Sequence, residues 1–418
     1  MKVKNIYGQS LATLILSNGV YVYTFAANVL LARLLLPEDF GSLALVLALV
    51  GFIEMCTSFS LSVVLIQRRD HQTLLRSIFQ VGILVIGLKL VIGFMINLML
   101  TDQYAKTIWH LFWLVLISKG FSTLGPLVLA KLEKRGDFLK ASYISTGSNF
   151  LGVTLAVLAV MQGAGVYGLI LRVVAPPIFL FLLILLFYPS LFPHDLKKIN
   201  RRQLSFLLGV SIKLYFQKGS ELGYERIPLF LIESVFGSVV LGLFYQSTYL
   251  VKIVHRIASP INHQIAFVFF SKNRQLHKES DFGYRILVIV NAILGIPLAV
   301  IFGLFSEQVV TFLWGEKWIE AAPLLQVMAS MSVLFPIFTL MKSRLLGERL
   351  NNFITFTYLL GLLVFIIGLL IPTPMIMTPQ KIAGLAVLSV IVMILSLQIF
   401  YLLGTKNSKK KQDFNTVG

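Results

Sequence analysis

The stretch IFQVGILVIGLKLVIGFMINLML, residues 78–100, carries one ionisable group, Lys89, in the middle of an otherwise apolar run. As a helix rising about 1.5 Å per residue it would be about 35 Å long, enough to cross the roughly 30 Å hydrocarbon core of a bilayer. A run this apolar on every side offers no face to water, so it reads as a transmembrane helix. Comparable stretches lie at 11–36, 40–66, 107–130, 142–161, 165–189, 204–232, 236–258, 285–305, 320–341, 352–371 and 382–403. The expected fold is therefore an all-α polytopic membrane protein with about twelve transmembrane helices.

Composition agrees. Of 418 residues, 57% are hydrophobic and 13% charged, and the mean hydropathy is +0.85. A soluble chain carries about 25% charged residues. The first stretch follows Lys2 and Lys4 as a leader peptide would. It runs on into Arg33 and Pro37 without a small-residue cleavage site, so it is read as a retained helix. The one cysteine, Cys56, excludes an intrachain disulfide framework and a cysteine-cluster metal site.

The net charge of +18 would suit nucleic acid, but the cations are sorted by connection. Every second connection is basic: Arg68, Arg69 and Arg76; Lys131, Lys134, Arg135 and Lys140; Lys197, Lys198, Arg201 and Arg202; Lys272, Arg274, Lys278 and Arg285; Lys342, Arg344 and Arg349. Lys2, Lys4 and the tail lysines 406 and 409–411 fall on the same side, and the other side has only Lys106, Lys317 and Lys381. By the positive-inside rule both termini are expected in the cytoplasm, and the membrane rather than nucleic acid is the partner. Glu38, Asp39, Asp102, Glu307, Glu316 and Glu320 then read as solvated charges of short outer loops, the longest at 305–319.

Phe40-Gly41-Ser42 opens the second stretch and Phe236-Gly237-Ser238 the eighth, and the basic turn at Gly136 is echoed at Gly347. The plan is two parallel six-helix halves, 1–195 and 196–405, with a basic tail at 406–418. An even number of spans per repeat makes the halves parallel, and secondary transporters bind substrate in a central cavity between such halves.

Ionisable residues inside the spans point to that cavity. Glu54, Lys89, Lys119, Arg172, Lys213, Lys218, Glu221, Glu225, Arg226 and Lys252 lie within apolar stretches. Each would be disfavoured by about 2.5–3.5 kcal/mol at a lipid-facing helix centre, so together they must mostly face the interior. Cations exceed carboxylates there, and such an interior suits an anion, phosphate above all. Lys213, Gln217, Glu221 and Glu225 form an i, i+4 stripe, and Lys218 stands three before Glu221, within pairing reach. Tyr245, Tyr249, Lys252 and Arg256 share another helix face, as sugar stacking beside phosphate binding requires. The alternatives are interhelical packing for the tyrosines, snorkelling for Lys252 and Arg256, and a structural Lys89–Glu54 pair. Lys119 precedes Gly120, Ser122, Thr123, Gly125 and Pro126, a segment suited to bending beside a channel. His255 and His263 read as interface residues. No metal-ligand spacing, phosphate loop or nucleophile–base arrangement is found, so neither an enzyme nor a cofactor is expected.

LARLLLPEDFGSLALVLALVGF (31–52), ESVFGSVVLGLFYQSTYLV (233–251) and VVTFLWGEKWIEAAPLLQVMA (309–329) resemble the bacterial polysaccharide-export flippases. That group belongs to the multidrug/oligosaccharidyl-lipid/polysaccharide superfamily, which includes O-antigen and lipid II flippases. The resemblance implies transport of an undecaprenyl-pyrophosphate-linked oligosaccharide from the inner to the outer leaflet of the bacterial cytoplasmic membrane by alternating access. The product would be O-antigen of lipopolysaccharide, capsule or exopolysaccharide, and a polysaccharide polymerase and chain-length machinery would be partners. On that reading Lys213, Lys218, Arg226 and Lys252 hold the pyrophosphate, with Lys119 and Arg172 opposite, and Gln217, Tyr245 and Tyr249 line the cavity. Two features depart from the family pattern. Ser58-Phe59-Ser60-Leu61 stands where relatives often carry Asp-Leu-Gly, and Pro228 where they often carry Asp. A coupling site for H+ or Na+ therefore does not carry over, which leaves Glu54, Glu221 and Glu225 as candidates. The competing readings are a multidrug antiporter of the same superfamily and a membrane polysaccharide polymerase or ligase. The first needs an acidic interior and the second a long outer loop.

Overall fold

The computed structural model describes residues 3–57, 72–135, 137–192, 201–260, 262, 266–272, 277–348, 352–371 and 378–416. Fifteen α-helices are described, with short 3-10 turns between some of them and no strand among the described residues. They are α1 (Val3–Leu34), α2 (Pro37–Thr57), α3 (Gln72–Leu100), α4 (Lys106–Lys134), α5 (Phe138–Met161), α6 (Gly165–Phe187) and α7 (Arg201–Val251). They continue as α8 (Ile253–Pro260), α9 (Ala266–Lys272), α10 (His277–Leu304), α11 (Ser306–Trp314), α12 (Ala322–Met328), α13 (Met331–Gly347), α14 (Asn352–Leu370) and α15 (Pro379–Thr416). Each expected span has a helix in its place. Among the described residues nine helices are long and apolar enough to cross a membrane, or ten if a pair bent by 52° at Ala329–Ser330 counts as one span. The chain is a multi-pass membrane protein.

Two compact units are formed, Met1–Phe230 and Leu231–Gly418. In the first, α2 is the central element. Phe40, Leu43, Leu45, Leu49 and Ile53 are fully buried, and α2 packs on α3, α4 and α6. Its start is built locally: Pro37 occupies the first helical position, and the Asp39 carboxylate accepts from the Leu36 backbone N–H at 3.0 Å, half of a capping box. Asp39 is thus a capping residue rather than the loop charge expected. The α3 helix is peripheral, with Leu84, Val91, Met95, Leu98 and Met99 on its outer, lipid-facing side. The α5–α6 hairpin turns through Gly163 (φ +86°). Gly152 lets it close tightly, since a Cβ there would lie 2.6 Å from the Pro176 ring.

The expected spans 204–232 and 236–258 form a continuous segment. α7 is 51 residues long, about 77 Å if straight and more than two bilayer cores. Helical geometry is broken at Gly237 (φ 80°, ψ 175°), a backbone conformation open essentially to glycine. The two spans therefore meet at one residue and not through a loop.

In the second unit α13 is central and packs on α8, α9, α10 and α15. The α10 helix is amphipathic toward lipid, with Phe282, Ile286, Ile289, Ile293 and Ile296 exposed along one stripe and Ser280 and Asn291 buried opposite. The segment 305–319, expected as an outer loop, is mostly helical. Trp314 and Trp318 bring their ring centroids to 5.5 Å and are almost fully buried. Two large aromatic groups provide enough apolar area to order a segment that charge alone marks as a loop.

Candidate functional site

In the first unit α7 lies along α2 through small residues. Gly219 and Gly223, four apart, both face Met55, whose Sδ would lie 3.3 Å from a Cβ on Gly223. One turn along α2, Gly51 receives the stem of Arg226: a Cβ there would sit 2.5 Å from Arg226 Cγ. Phe52 meets Phe230 edge-on at 5.8 Å. The seating of the Arg226 stem on Gly51 thus places it one turn along α2 from Glu54. The Nε of Arg226 is buried and has no hydrogen-bond partner among the described residues.

Glu54 is paired with Lys119 of α4 at 3.1 Å, each side chain 21% exposed. Lys119 is thus at ion-pair distance from Glu54, where one of the alternatives named Lys89. Lys89 is buried, and its Nζ donates to Thr123 Oγ1 at 2.9 Å, while Thr123 donates to the Lys119 carbonyl at 2.8 Å. Lys119 and Thr123 are one turn apart on α4, so Lys89 is tied to the Glu54–Lys119 pair through a single hydroxyl. Spacing along one chain cannot decide which of two lysines on different helices meets a carboxylate on a third.

The other expected site residues are spread more widely. Arg172 of α6 donates to Asn28 Oδ1 of α1. Lys218 pairs with Glu221 at 3.2 Å, as the spacing predicts, with Lys218 about half exposed. Gln217 is half-buried and Glu225 exposed. The side chain of Lys213, like the whole of His263, lies outside the described residues. Cys56 is exposed near the end of α2.

In the second unit, Tyr249 is buried and the Arg256 guanidinium lies over its ring, 3.8 Å from the centroid. That contact occupies a face the sugar-stacking expectation had left open. Lys252 stands over Phe335 at 4.4 Å, and Tyr245 is half-buried. His255 Nδ1 shares a 3.1 Å hydrogen bond with Thr339.

Sequence reading missed one cluster. Lys342 and Arg344, counted as loop cations, are buried within α13. Lys342 donates to the Tyr358 hydroxyl at 3.0 Å. Arg344 Nε donates to Glu348 at 3.2 Å, its Nη2 donates to both Asp281 and the Tyr401 hydroxyl, and its guanidinium carbon lies 4.0 Å from the Tyr401 ring centroid. Ser280 donates to the same Glu348 carboxylate at 3.1 Å. The i, i+4 spacing of Arg344 and Glu348 was the available signal. No group of His, Cys, Asp and Glu among the described residues is arranged to hold a metal ion.

The succinoglycan biosynthesis transport protein ExoT of Rhizobium meliloti (strain 1021) is 23% identical over 77% of this chain. The match covers 65% of that protein, so the chain spans slightly less than two thirds of its length. Among solved structures, an inward-facing multidrug resistance MATE family transporter of the MOP superfamily superposes with a TM-score of 0.66 at 13% identity, over 96% of this chain and 99% of that one. The lipid II flippase MurJ in an inward closed conformation gives 0.62 at 15%, over 94% and 86%. The chain thus has the fold of the MOP superfamily transporters. Residues 30–323, well over half the chain and including Glu54, Lys89, Lys119 and Arg226, match one family throughout, and the chain belongs to the polysaccharide biosynthesis protein family.

Proposed function

We propose that this protein is a flippase that carries an undecaprenyl-pyrophosphate-linked oligosaccharide from the inner to the outer leaflet of the bacterial cytoplasmic membrane. The termini are cytoplasmic, the repeat-related halves are 1–195 and 196–405, and alternating access moves the cargo. The supporting observation is the surplus of cations over carboxylates at membrane depth in the first unit. Glu54 is paired with Lys119, Lys89 bonds to Thr123 one turn from Lys119, Arg226 packs on Gly51 one turn from Glu54, and Arg226 has a buried donor with no partner among the described residues. In a low-dielectric setting such a surplus favours an anion with several acceptor oxygens. Extrusion of organic cations requires the opposite charge. The proposed pyrophosphate contacts of the first unit are Lys119, Arg172, Lys213, Lys218 and Arg226, and Lys252 is the cation proposed for substrate in the second unit by itself.

The test is leaflet accessibility of lipid-linked oligosaccharide in cells with and without the protein. Accumulation on the cytoplasmic face after depletion, with unchanged sugar composition, is expected. Unchanged sidedness with shortened or missing external polymer would move the protein to the polymerase class.

A further inference from the structure

The Glu54 carboxylate stands in an ion pair. It is held by Lys119 at 3.1 Å, and Arg226, bearing a buried Nε with no acceptor among the described residues, is packed one turn away over Gly51. Lys89 closes the cluster from α3 through Thr123. These three cations and one carboxylate come from four helices of the same unit. Both partners of the Glu54–Lys119 pair are about one-fifth exposed, so an incoming anion can reach Lys119.

We propose that Glu54 is an internal counterion. It neutralises Lys119 before cargo arrives, and a phosphate-bearing cargo displaces it to bind Lys119 and Arg226 together. This rests on the export reading above and assigns Glu54 a role other than ion coupling. The charge of these four groups agrees with the cargo class proposed above. Lys89, Lys119 and Arg226 against Glu54 leave two formal positive charges in the cluster. A pyrophosphate diester, with one ionised oxygen on each phosphorus, brings two negative charges and makes the loaded cluster neutral. A single phosphodiester would leave one positive charge uncompensated at membrane depth, which is unfavourable. The arrangement also explains why a cationic cluster persists in apolar surroundings: the carboxylate satisfies the most accessible lysine until a stronger acceptor replaces it.

The experiment measures binding of inorganic pyrophosphate and inorganic phosphate to the purified full-length protein in nanodiscs. The variants are Glu54→Gln, Glu54→Asp, Lys119→Gln and the Glu54→Gln/Lys119→Gln double. Removing a competing charge-assisted contact should tighten pyrophosphate binding by about tenfold in Glu54→Gln, with a smaller gain in Glu54→Asp. Lys119→Gln should weaken it by a similar factor, and in the double variant the gain should vanish. Phosphate should be bound more weakly than pyrophosphate throughout. Glu54→Asp keeps the charge and guards against a folding defect in Glu54→Gln. Unchanged or weaker pyrophosphate binding in both Glu54 variants overturns the proposal, as does binding by neither wild type nor variant. Inorganic pyrophosphate carries no lipid or sugar, so the two readings separate. Tighter binding by Glu54→Gln with normal leaflet distribution in depleted cells sinks the export reading and keeps the counterion. Intact export without tightening does the reverse.

Discussion

Asn262 and Asn291 hold each other by reciprocal amide hydrogen bonds of 2.9 and 3.0 Å. Asn262 also donates to the Pro336 carbonyl at 3.1 Å and Asn291 to the Leu287 carbonyl at 2.7 Å, so all four amide hydrogens are used. Both residues are almost fully buried. Asn291→Ala strands the Asn262 amide and should destabilise the protein by about 1–3 kcal/mol. The double variant Asn262→Leu/Asn291→Leu should recover part of the loss. Thermal unfolding in detergent checks this, and an additive double variant would show that the pair is not coupled.

Arg344 makes the stronger claim on stability. It is 6% exposed, with Glu348 equally buried and Asp281 about half exposed. Arg344→Met leaves Glu348 buried without its partner and should cost about 3–5 kcal/mol. Arg344→Lys should recover little, because an ammonium lacks the fork that reaches Asp281, Glu348 and Tyr401 at once. Membrane yield and thermal stability are the readouts, and full rescue by Lys would contradict the geometry.

Gly51→Ala tests the seat of Arg226. The added Cβ would lie 2.5 Å from Arg226 Cγ, so the side chain must shift. An overpacking penalty of about 1–3 kcal/mol is expected, with export lost even where the protein is inserted normally. Adding Arg226→Ser should restore thermal stability and leave export defective. Restored export in that double variant would remove Arg226 from the transport site.

Charge-neutral replacement of Lys213, Lys218 or Arg226 should abolish export without loss of membrane insertion. The assay is leaflet distribution beside protein level in isolated membranes. Normal export by all three variants would end this version of the site.

Gly237→Ala probes the joint in α7. An alanine at φ 80°, ψ 175° is strained by about 1–3 kcal/mol. The unfolding temperature should fall, while a control such as Ser238→Ala should leave it unchanged.

Much of the fold was readable from hydropathy, because an apolar stretch in lipid has only the helix open to it. The all-α multi-span plan and the Lys218–Glu221 pair follow from local composition and spacing, whereas the direct join of two expected spans at Gly237 does not. The site was only partly readable. Lys119, Glu54, Lys89 and Arg226 come from four helices, and which of them meet depends on how those helices pack, which no periodicity reports. Lys342 and Arg344 misled for another reason. Near a span end a cation reads as a loop charge, yet a carboxylate one turn on and tyrosines from other helices can bury it. Trp314 and Trp318 show the converse, a loop by charge ordered by aromatic packing.

Cys56 has a practical meaning. It is the chain's sole thiol, it is exposed, and it stands two residues after Glu54. Within these 418 residues a thiol-reactive probe therefore has one point of attachment. A polarity-sensitive fluorophore or a spin label attached there needs no background substitutions. It would report beside the carboxylate, so arrival of an anion at Lys119 would be read as an optical or magnetic signal from a chain with no residue replaced.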